Sequence, residues 1–128
     1  MHKILHVDDE KDIRSIAKLS LQSIGGFEVT SCESGREALG CLEAVSPDCI
    51  LLDVMMPDLD GPATLLELRR RQDTVDIPVI FMTAETDARE VERLIELGAI
   101  GVIAKPFNPM QLSEEIKRVW TDWKSGTA

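Results

Sequence analysis

The sequence predicts an α/β fold, a parallel sheet with helices on both faces, from three observations. Short aliphatic runs alternate with longer amphipathic stretches, giving five β-then-α units in series. Two of the runs, Ile50-Leu51-Leu52 and Pro78-Val79-Ile80-Phe81-Met82, are almost continuously apolar, as strands buried on both faces must be. Four of the five end on groups that carry chemistry, at the edge where open α/β sheets place their ligands.

The strand runs are residues 3–7, 27–32, 48–52, 77–82 and 100–104, and the helical stretches are about 11–24, 34–45, 61–72, 86–97 and 109–123. The first strand stops on Asp8-Asp9, either of which is a candidate N-cap for a helix beginning near Glu10 or Lys11. In that helix Ile13, Ile16, Ala17 and Ile24 share one face, read as core, and Gly25-Gly26 ends it. The second strand closes at Ser31-Cys32, and Ser34 is placed to cap the second helix. Cys49-Ile50-Leu51-Leu52 closes on Asp53, and Gly61-Pro62 starts the third helix with proline pre-set for its first turn. Arg69-Arg70-Arg71 reads as a solvated helix end favoured by the macrodipole. The fourth strand leads to Thr83, which could also cap the helix beginning after Thr86. Val91, Leu94 and Ile95 form that helix's core stripe and Gly98 its end. The fifth strand reaches Lys105-Pro106. The expectation is one domain over residues 1–124 and a frayed tail at 125–128.

Composition narrows the function classes. A net charge of −9 argues against non-specific nucleic-acid binding and otherwise reads as a solubility feature. Cys32, Cys41 and Cys49 are odd in number and lack CxxC spacing, which fits unpaired thiols in a reducing compartment and neither a disulfide framework nor a zinc site. Met1-His2-Lys3 leads into too few apolar residues for a signal peptide, and no stretch is long enough to span a bilayer. The expected location is the cytoplasm. His2 and His6 read as structural. Asp58, Asp60 and Gly61 hint at a calcium loop but lack its ligand spacing and closing glutamate.

Carboxylates at the ends of two strands suggest an acidic pocket. Two unit charges about 4 Å apart cost roughly 4 kcal/mol at an effective dielectric near 20, so convergence of Asp8, Asp9 and Asp53 calls for a divalent cation or a lysine. Acids, the Thr83 hydroxyl and the Lys105 amine on one rim are the groups that phosphoryl chemistry needs: a carboxylate nucleophile, oxygen ligands for a hard cation, and positive charge for the transferring group.

Val7-Asp8-Asp9-Glu10, Asp53-Val54-Met55-Met56-Pro57-Asp58-Leu59-Asp60-Gly61, Met82-Thr83-Ala84 and Lys105-Pro106-Phe107, in this order, resemble the receiver domain of bacterial two-component response regulators over essentially the whole chain. The resemblance implies a flavodoxin-like doubly wound (βα)5 fold with strand order 2-1-3-4-5. It implies Asp53 as phospho-acceptor from a sensor histidine kinase or a histidine phosphotransfer protein. It also implies Mg²⁺, with Mn²⁺ as an alternative, held directly by Asp9, through water by Asp8, and by Asp53 and the main-chain carbonyl of Met55. Lys105 and Thr83 would each bind a phosphoryl oxygen, and the Lys105-Pro106 bond would be cis. A switch of this kind catalyses only its own phosphotransfer and acyl-phosphate hydrolysis. Its output surface would be the fourth helix, fifth strand and fifth helix, in a monomer or weak homodimer that binds neither nucleic acid nor membrane directly.

Two positions depart from the family pattern. Many receivers carry Tyr or Phe three residues before the lysine of the fifth strand, where this chain has Val102. Met55, two residues after the acceptor, and Glu85, two after Thr83, flank the path of the water that hydrolyses the acyl phosphate. Met55 also counts against an aspartyl-phosphate phosphatase of the haloacid-dehalogenase type, which needs a second Asp there. Asp8-Asp9-Glu10 would repel a nucleotide or flavin phosphate, and the complete set of rim groups disfavours an inert scaffold. A stand-alone switch is the first expectation. A receiver cut from a larger regulator or hybrid kinase is the alternative.

Overall fold

The computed structural model describes residues 2–126. Strands β1 (Lys3–Val7), β2 (Glu28–Cys32), β3 (Cys49–Asp53), β4 (Val79–Thr83) and β5 (Gly101–Ala104) alternate with helices α1 (Lys11–Ser23), α2 (Gly35–Val45), α3 (Gly61–Arg70), α4 (Ala88–Glu96) and α5 (Leu112–Lys124). Every strand pair is parallel, in the order β2-β1-β3-β4-β5. The chain moves outward from β1 to β2, then returns past β1 to β3. The order therefore reverses between β1 and β3, and a crevice opens there at the carboxyl edge.

Two apolar layers hold the sheet. Leu5, Val7, Ile50, Leu52 and Phe81 point to one face and pack with Leu42 of α2, Leu65 and Leu68 of α3, and Leu94 of α4. Ile4, Leu51, Ile80, Met82 and Ile103 point to the other and pack with Ala17 and Leu21 of α1 and Leu112 and Ile116 of α5. The period-2 alternation of side chains puts neighbours such as Leu51 and Leu52 in opposite layers. Each fully buried leucine or isoleucine contributes about 1.5–3 kcal/mol relative to exposure.

The predicted α1 stripe is corrected. Ile16 and Ile24 are 44% and 48% exposed, Ile13 is half-buried, and the buried face is Ala17, Ser20 and Leu21. Small side chains at 17 and 20 lie against the neighbouring structure, and Ser20 Oγ donates to the Pro109 carbonyl ahead of α5. In α4 only Leu94 is buried, while Val91 is half-buried and Ile95 is 43% exposed.

Helix ends differ for identifiable reasons. α5 starts at Leu112, not 109, because Asn108 organises a turn: its side chain accepts the Met110 N–H and its carbonyl the N–H groups of Gln111 and Leu112. α3 stops at Arg70, where Thr74 Oγ1 donates to the Leu68 carbonyl at 2.7 Å and satisfies one of the orphan acceptors of the last turn. Arg69 and Arg71 are not simply solvated. Arg69 donates to the carbonyls of Ile77 and Gly98, and Arg71 to that of Leu39. Ser34 caps α2, accepting from Glu37 N–H. Gly26 and Gly98 follow α1 and α4 at φ of 72° and 117°. Of the expected tail, Ser125 and Gly126 donate back to Thr121 and Trp123 carbonyls, and Thr127 and Ala128 lie outside the described residues.

His6 is fully buried on the same face as Ile4, and neither ring nitrogen has a hydrogen-bond partner among the described residues. Burial lowers its pKa to about 4, against the opposing pull of the Asp8 charge. The unfolded chain takes up this proton near pH 6.5 and the folded chain does not. His6 therefore costs stability increasingly as pH falls from 6.5 towards 4. Replacing His6 with leucine is expected to stabilise the fold by about 1–2 kcal/mol at pH 7. The gain should grow on acidification through that window, read as the difference in urea midpoints between variant and parent.

Candidate functional site

The strand register assembles the crevice. Val7 pairs with Leu52, so Asp8 and Asp53 leave β1 and β3 side by side. Asp53 pairs with Met82, which places Thr83 one step beyond it on β4. Thr83 pairs with Ala104, and Lys105 follows as its N–H bonds the Thr83 carbonyl at 2.9 Å. The Lys105-Pro106 peptide bond is cis, as the resemblance implies.

Lys105 ties the edge together. Its Nζ lies 3.0 Å from Asp8 Oδ2, 3.3 Å from Asp53 Oδ1 and 3.6 Å from Glu10 Oε1. Asp8 is fully buried and held on every side: its N–H donates to the Cys32 carbonyl, its own carbonyl accepts from Arg14 Nη1, and its Oδ1 accepts the Glu10 N–H at 2.9 Å. That last bond is a local turn. The residue at the N-cap of α1 is Glu10, so neither Asp8 nor Asp9 caps the helix. Thr83 likewise does not cap α4, because Asp87 does, accepting from Glu90 N–H. Thr83 Oγ1 instead accepts the Glu85 N–H at 3.0 Å, which leaves its hydroxyl proton to be donated elsewhere.

Asp53, Thr83 and Lys105 line one open cavity of about 320 Å³, with Met55 and Pro106 among the apolar groups of its lip. Met55 is 75% exposed. Asp8, Asp9 and Glu10 present carboxylate oxygens within 4.8 Å of one another. Asp9 and Glu10 are exposed, and Asp53 lies outside that triplet. Glu10 therefore joins the acidic group, although the sequence places it only at a helix start. Its position in the run Asp8-Asp9-Glu10 was the available signal.

Gly61 is the other residue whose part the sequence conceals. Its N–H donates to the Val54 carbonyl at 2.9 Å, and a Cβ there would strike the Asp53 carbonyl and lie 2.9 Å from Val54 Cα. Only glycine lets the start of α3 pass this close to the backbone at the end of β3. Asp60 caps α3 through Ala63 N–H, and Asp58, at φ 69°, pairs with Arg36.

The electrostatics follow from burial. Asp53 is raised to about 6, first by desolvation and then by the Asp8 charge, which together outweigh Lys105. For Lys105 burial acts downward, but its bonds to Asp8 and Asp53 prevail and its pKa is raised. One ammonium thus faces Asp8, Glu10 and Asp53, with Asp9 beside the first two, and the site retains an excess of negative charge on hard oxygen donors. Such donors fit Mg²⁺ or Mn²⁺.

Residues 4–117 match the response regulator receiver domain, and the chain belongs to that family. It is 42% identical over 117 residues to a probable transcriptional regulator ycf27 of Porphyridium aerugineum, covering 91% of this chain and 47% of that protein. It is 36% identical to the alkaline phosphatase synthesis transcriptional regulatory protein PhoP of Bacillus subtilis, again over 91% of this chain and 48% of the relative. The chain thus spans a little under half the length of these relatives. Among solved structures, the chemotaxis protein CheY4 of Vibrio cholerae superposes with a TM-score of 0.85 at 34% identity, covering 93% of this chain and 98% of that one. The receiver domain of a signal transduction histidine kinase from Syntrophus aciditrophicus does so at 0.80 and 35% identity, over 94% and 91%. Among the described residues no helix is long and apolar enough to cross a membrane.

The raised Asp53 pKa sets a stability prediction. Between its unfolded value of 3.8 and about 6 the folded chain keeps a proton that the unfolded chain has released, so Asp53 costs stability as pH rises through that window and above it. In chelator-treated protein, Asp53→Asn is expected to stabilise the fold by roughly 2–3 kcal/mol at pH 7. The gain should disappear below about pH 4, as read from denaturant midpoints across pH.

Proposed function

We propose that this receiver domain is a phosphorylation switch in which Asp53 accepts a phosphoryl group from a phosphohistidine. The donor would be a sensor histidine kinase or a histidine phosphotransfer protein. A carboxylate oxygen of Asp53 attacks phosphorus, the phosphorus–nitrogen bond to the donor imidazole breaks, and an acyl phosphate forms. What supports this most is the sharing of one cavity by a nucleophile, a cation and a hydroxyl, Asp53, Lys105 and Thr83. Lys105 already lies 3.3 Å from Asp53 Oδ1 and would pair with a phosphoryl oxygen. Thr83 would donate its hydroxyl proton to another, drawing the loop after β4 inward.

Mg²⁺, or Mn²⁺ in its place, would be held directly by Asp9, through water by Asp8, and by Asp53 and the Met55 carbonyl. When bound it supplies positive charge against the transferring phosphoryl oxygens. This chain's residues would catalyse only the transfer to Asp53 and the hydrolysis of the product. We place the switch in the cytoplasm, as a monomer or weak homodimer, with its output partner at the α4, β5 and α5 face. The length of the relatives favours a second form of the same reading, in which this domain governs a further part of a larger regulator.

Incubation with Mg²⁺ and a small phosphodonor, followed by intact-mass measurement, should give a single phosphoryl adduct on the parent and none on Asp53→Ala. Chelation before the donor is added should prevent it. An unmodified parent would overturn the assignment. Met55 lines the cavity with an apolar side chain that cannot orient a water, and asparagine there would offer hydrogen bonds to a hydrolytic water. Met55→Asn is therefore expected to shorten the acyl-phosphate half-life severalfold. Equal half-lives would remove that role.

A further inference from the structure

Two thiols outside the acidic crevice meet where β2 ends. Cys32 Sγ and Cys41 Sγ, on β2 and α2, lie 3.5 Å apart. A disulfide needs about 2.05 Å, so closure asks the sulfurs to approach by about 1.5 Å, within reach of side-chain rotation and a small helix shift. Their environments differ. Cys41 is half-buried and reachable from solvent, whereas Cys32 is 2% exposed. Burial first, and then the hydrogen bond with Cys41, raise the Cys32 thiol well above its ordinary range. The Glu37 charge, one turn before Cys41 on α2, pushes in the same direction.

We infer that Cys41 and Cys32 form a peroxide-sensitive dithiol, with Cys41 oxidised first and Cys32 resolving it to an intramolecular disulfide. The Cys41 sulfur attacks the peroxide oxygen, the oxygen–oxygen bond breaks, and Cys41 becomes a sulfenic acid while the peroxide leaves as water or alcohol. Cys32 sulfur then attacks Cys41 sulfur, the sulfur–oxygen bond breaks, and the departing hydroxide takes the Cys32 proton and leaves as water. Two thiols and one hydroperoxide thus give one disulfide, one water and one water or alcohol. The reaction falls on the residue whose carbonyl accepts the Asp8 N–H, at 3.1 Å, so the bridge would be anchored beside the acidic crevice. Cys49, buried at the start of β3 with its thiol pushed up to about 12 by burial, takes no part.

The test uses the whole folded chain and dilute hydrogen peroxide, followed by alkylation and mass spectrometry without reduction. A glutamate-specific protease releases Cys32 on Val29–Glu33, Cys41 on Ala38–Glu43 and Cys49 on Ala44–Glu67. The expected product has lost two hydrogen atoms, carries the first two peptides cross-linked, keeps Cys49 alkylated and is restored by dithiothreitol. In Cys32→Ser the Cys41 sulfenic acid should accumulate and be trapped by dimedone, and this readout does not require the bridge to form. A disulfide involving Cys49, a bridge between two chains, oxygen addition at Cys41 with Cys32 still alkylatable, or no cysteine oxidation would each overturn the inference.

Discussion

The Lys105 ammonium is the constraint on which the carboxyl edge depends. Asp8 and Asp53 are both buried, on adjacent strands, and the Asp8 charge penalises the ionisation of Asp53. A single Nζ within 3.3 Å of both offsets that repulsion, and it arrives from β5, on the far side of β4. It can do so only because the four strands end in step, so that residues 97 and 52 positions apart in sequence meet at one point. The parallel register is thus a functional requirement as well as a packing solution. A slip of one residue in any of these strands would turn the side chains to opposite faces and separate the charges.

That offset is incomplete, and the remainder is where the chemistry lies. A carboxylate held near pKa 6 is more basic than an ordinary one, while the neighbouring ammonium keeps enough positive charge nearby for it to ionise at neutral pH. The rest of the structure serves to fix this arrangement. Arg14, Cys32 and Glu10 hold the main chain and side chain of Asp8, and Gly61 brings α3 against the backbone at Asp53. A site so braced would need little reorganisation in the proposed phosphoryl transfer, which is the physical meaning of preorganised electrostatics.

What the sequence revealed, and what it hid, divides along a physical line. The strands and the groups at their ends were legible because a short, nearly continuous apolar run that stops on Asp, Thr or Lys leaves few alternatives, whereas the strand order followed from the family resemblance. The faces of α1 and α4 were not. Ile16, Ile24 and Ile95 repeat at helical spacing yet lie half in solvent, because periodicity identifies an apolar stripe but not which part of it meets the sheet. Small residues decided the matter: Ser20 sits buried, bonded to Pro109, where an isoleucine had seemed the better core residue. Long-range uses of a local motif were equally hidden. Nothing in Arg69-Arg70-Arg71 indicates that two of the three arginines satisfy carbonyls across the fold.

In the proposed switch, Val102 would limit how a change at the site reaches the surface. It pairs with Phe81 on β4, is partly buried, and lines an open groove of about 510 Å³ that also includes Val91 of α4 and Phe107. A large aromatic side chain at this register position could swing between groove and solvent and change a wide area of the face. Valine has one side-chain torsion and is stiff about it, so its rotation moves little more than a methyl group. In the proposed switch, a displacement of Thr83 would then travel along the backbone, through the Thr83–Glu85 hydrogen bond into the loop that leads to α4. α4 suits that route: only Leu94 is fully buried on it, so a modest pull on its amino end meets little packing resistance.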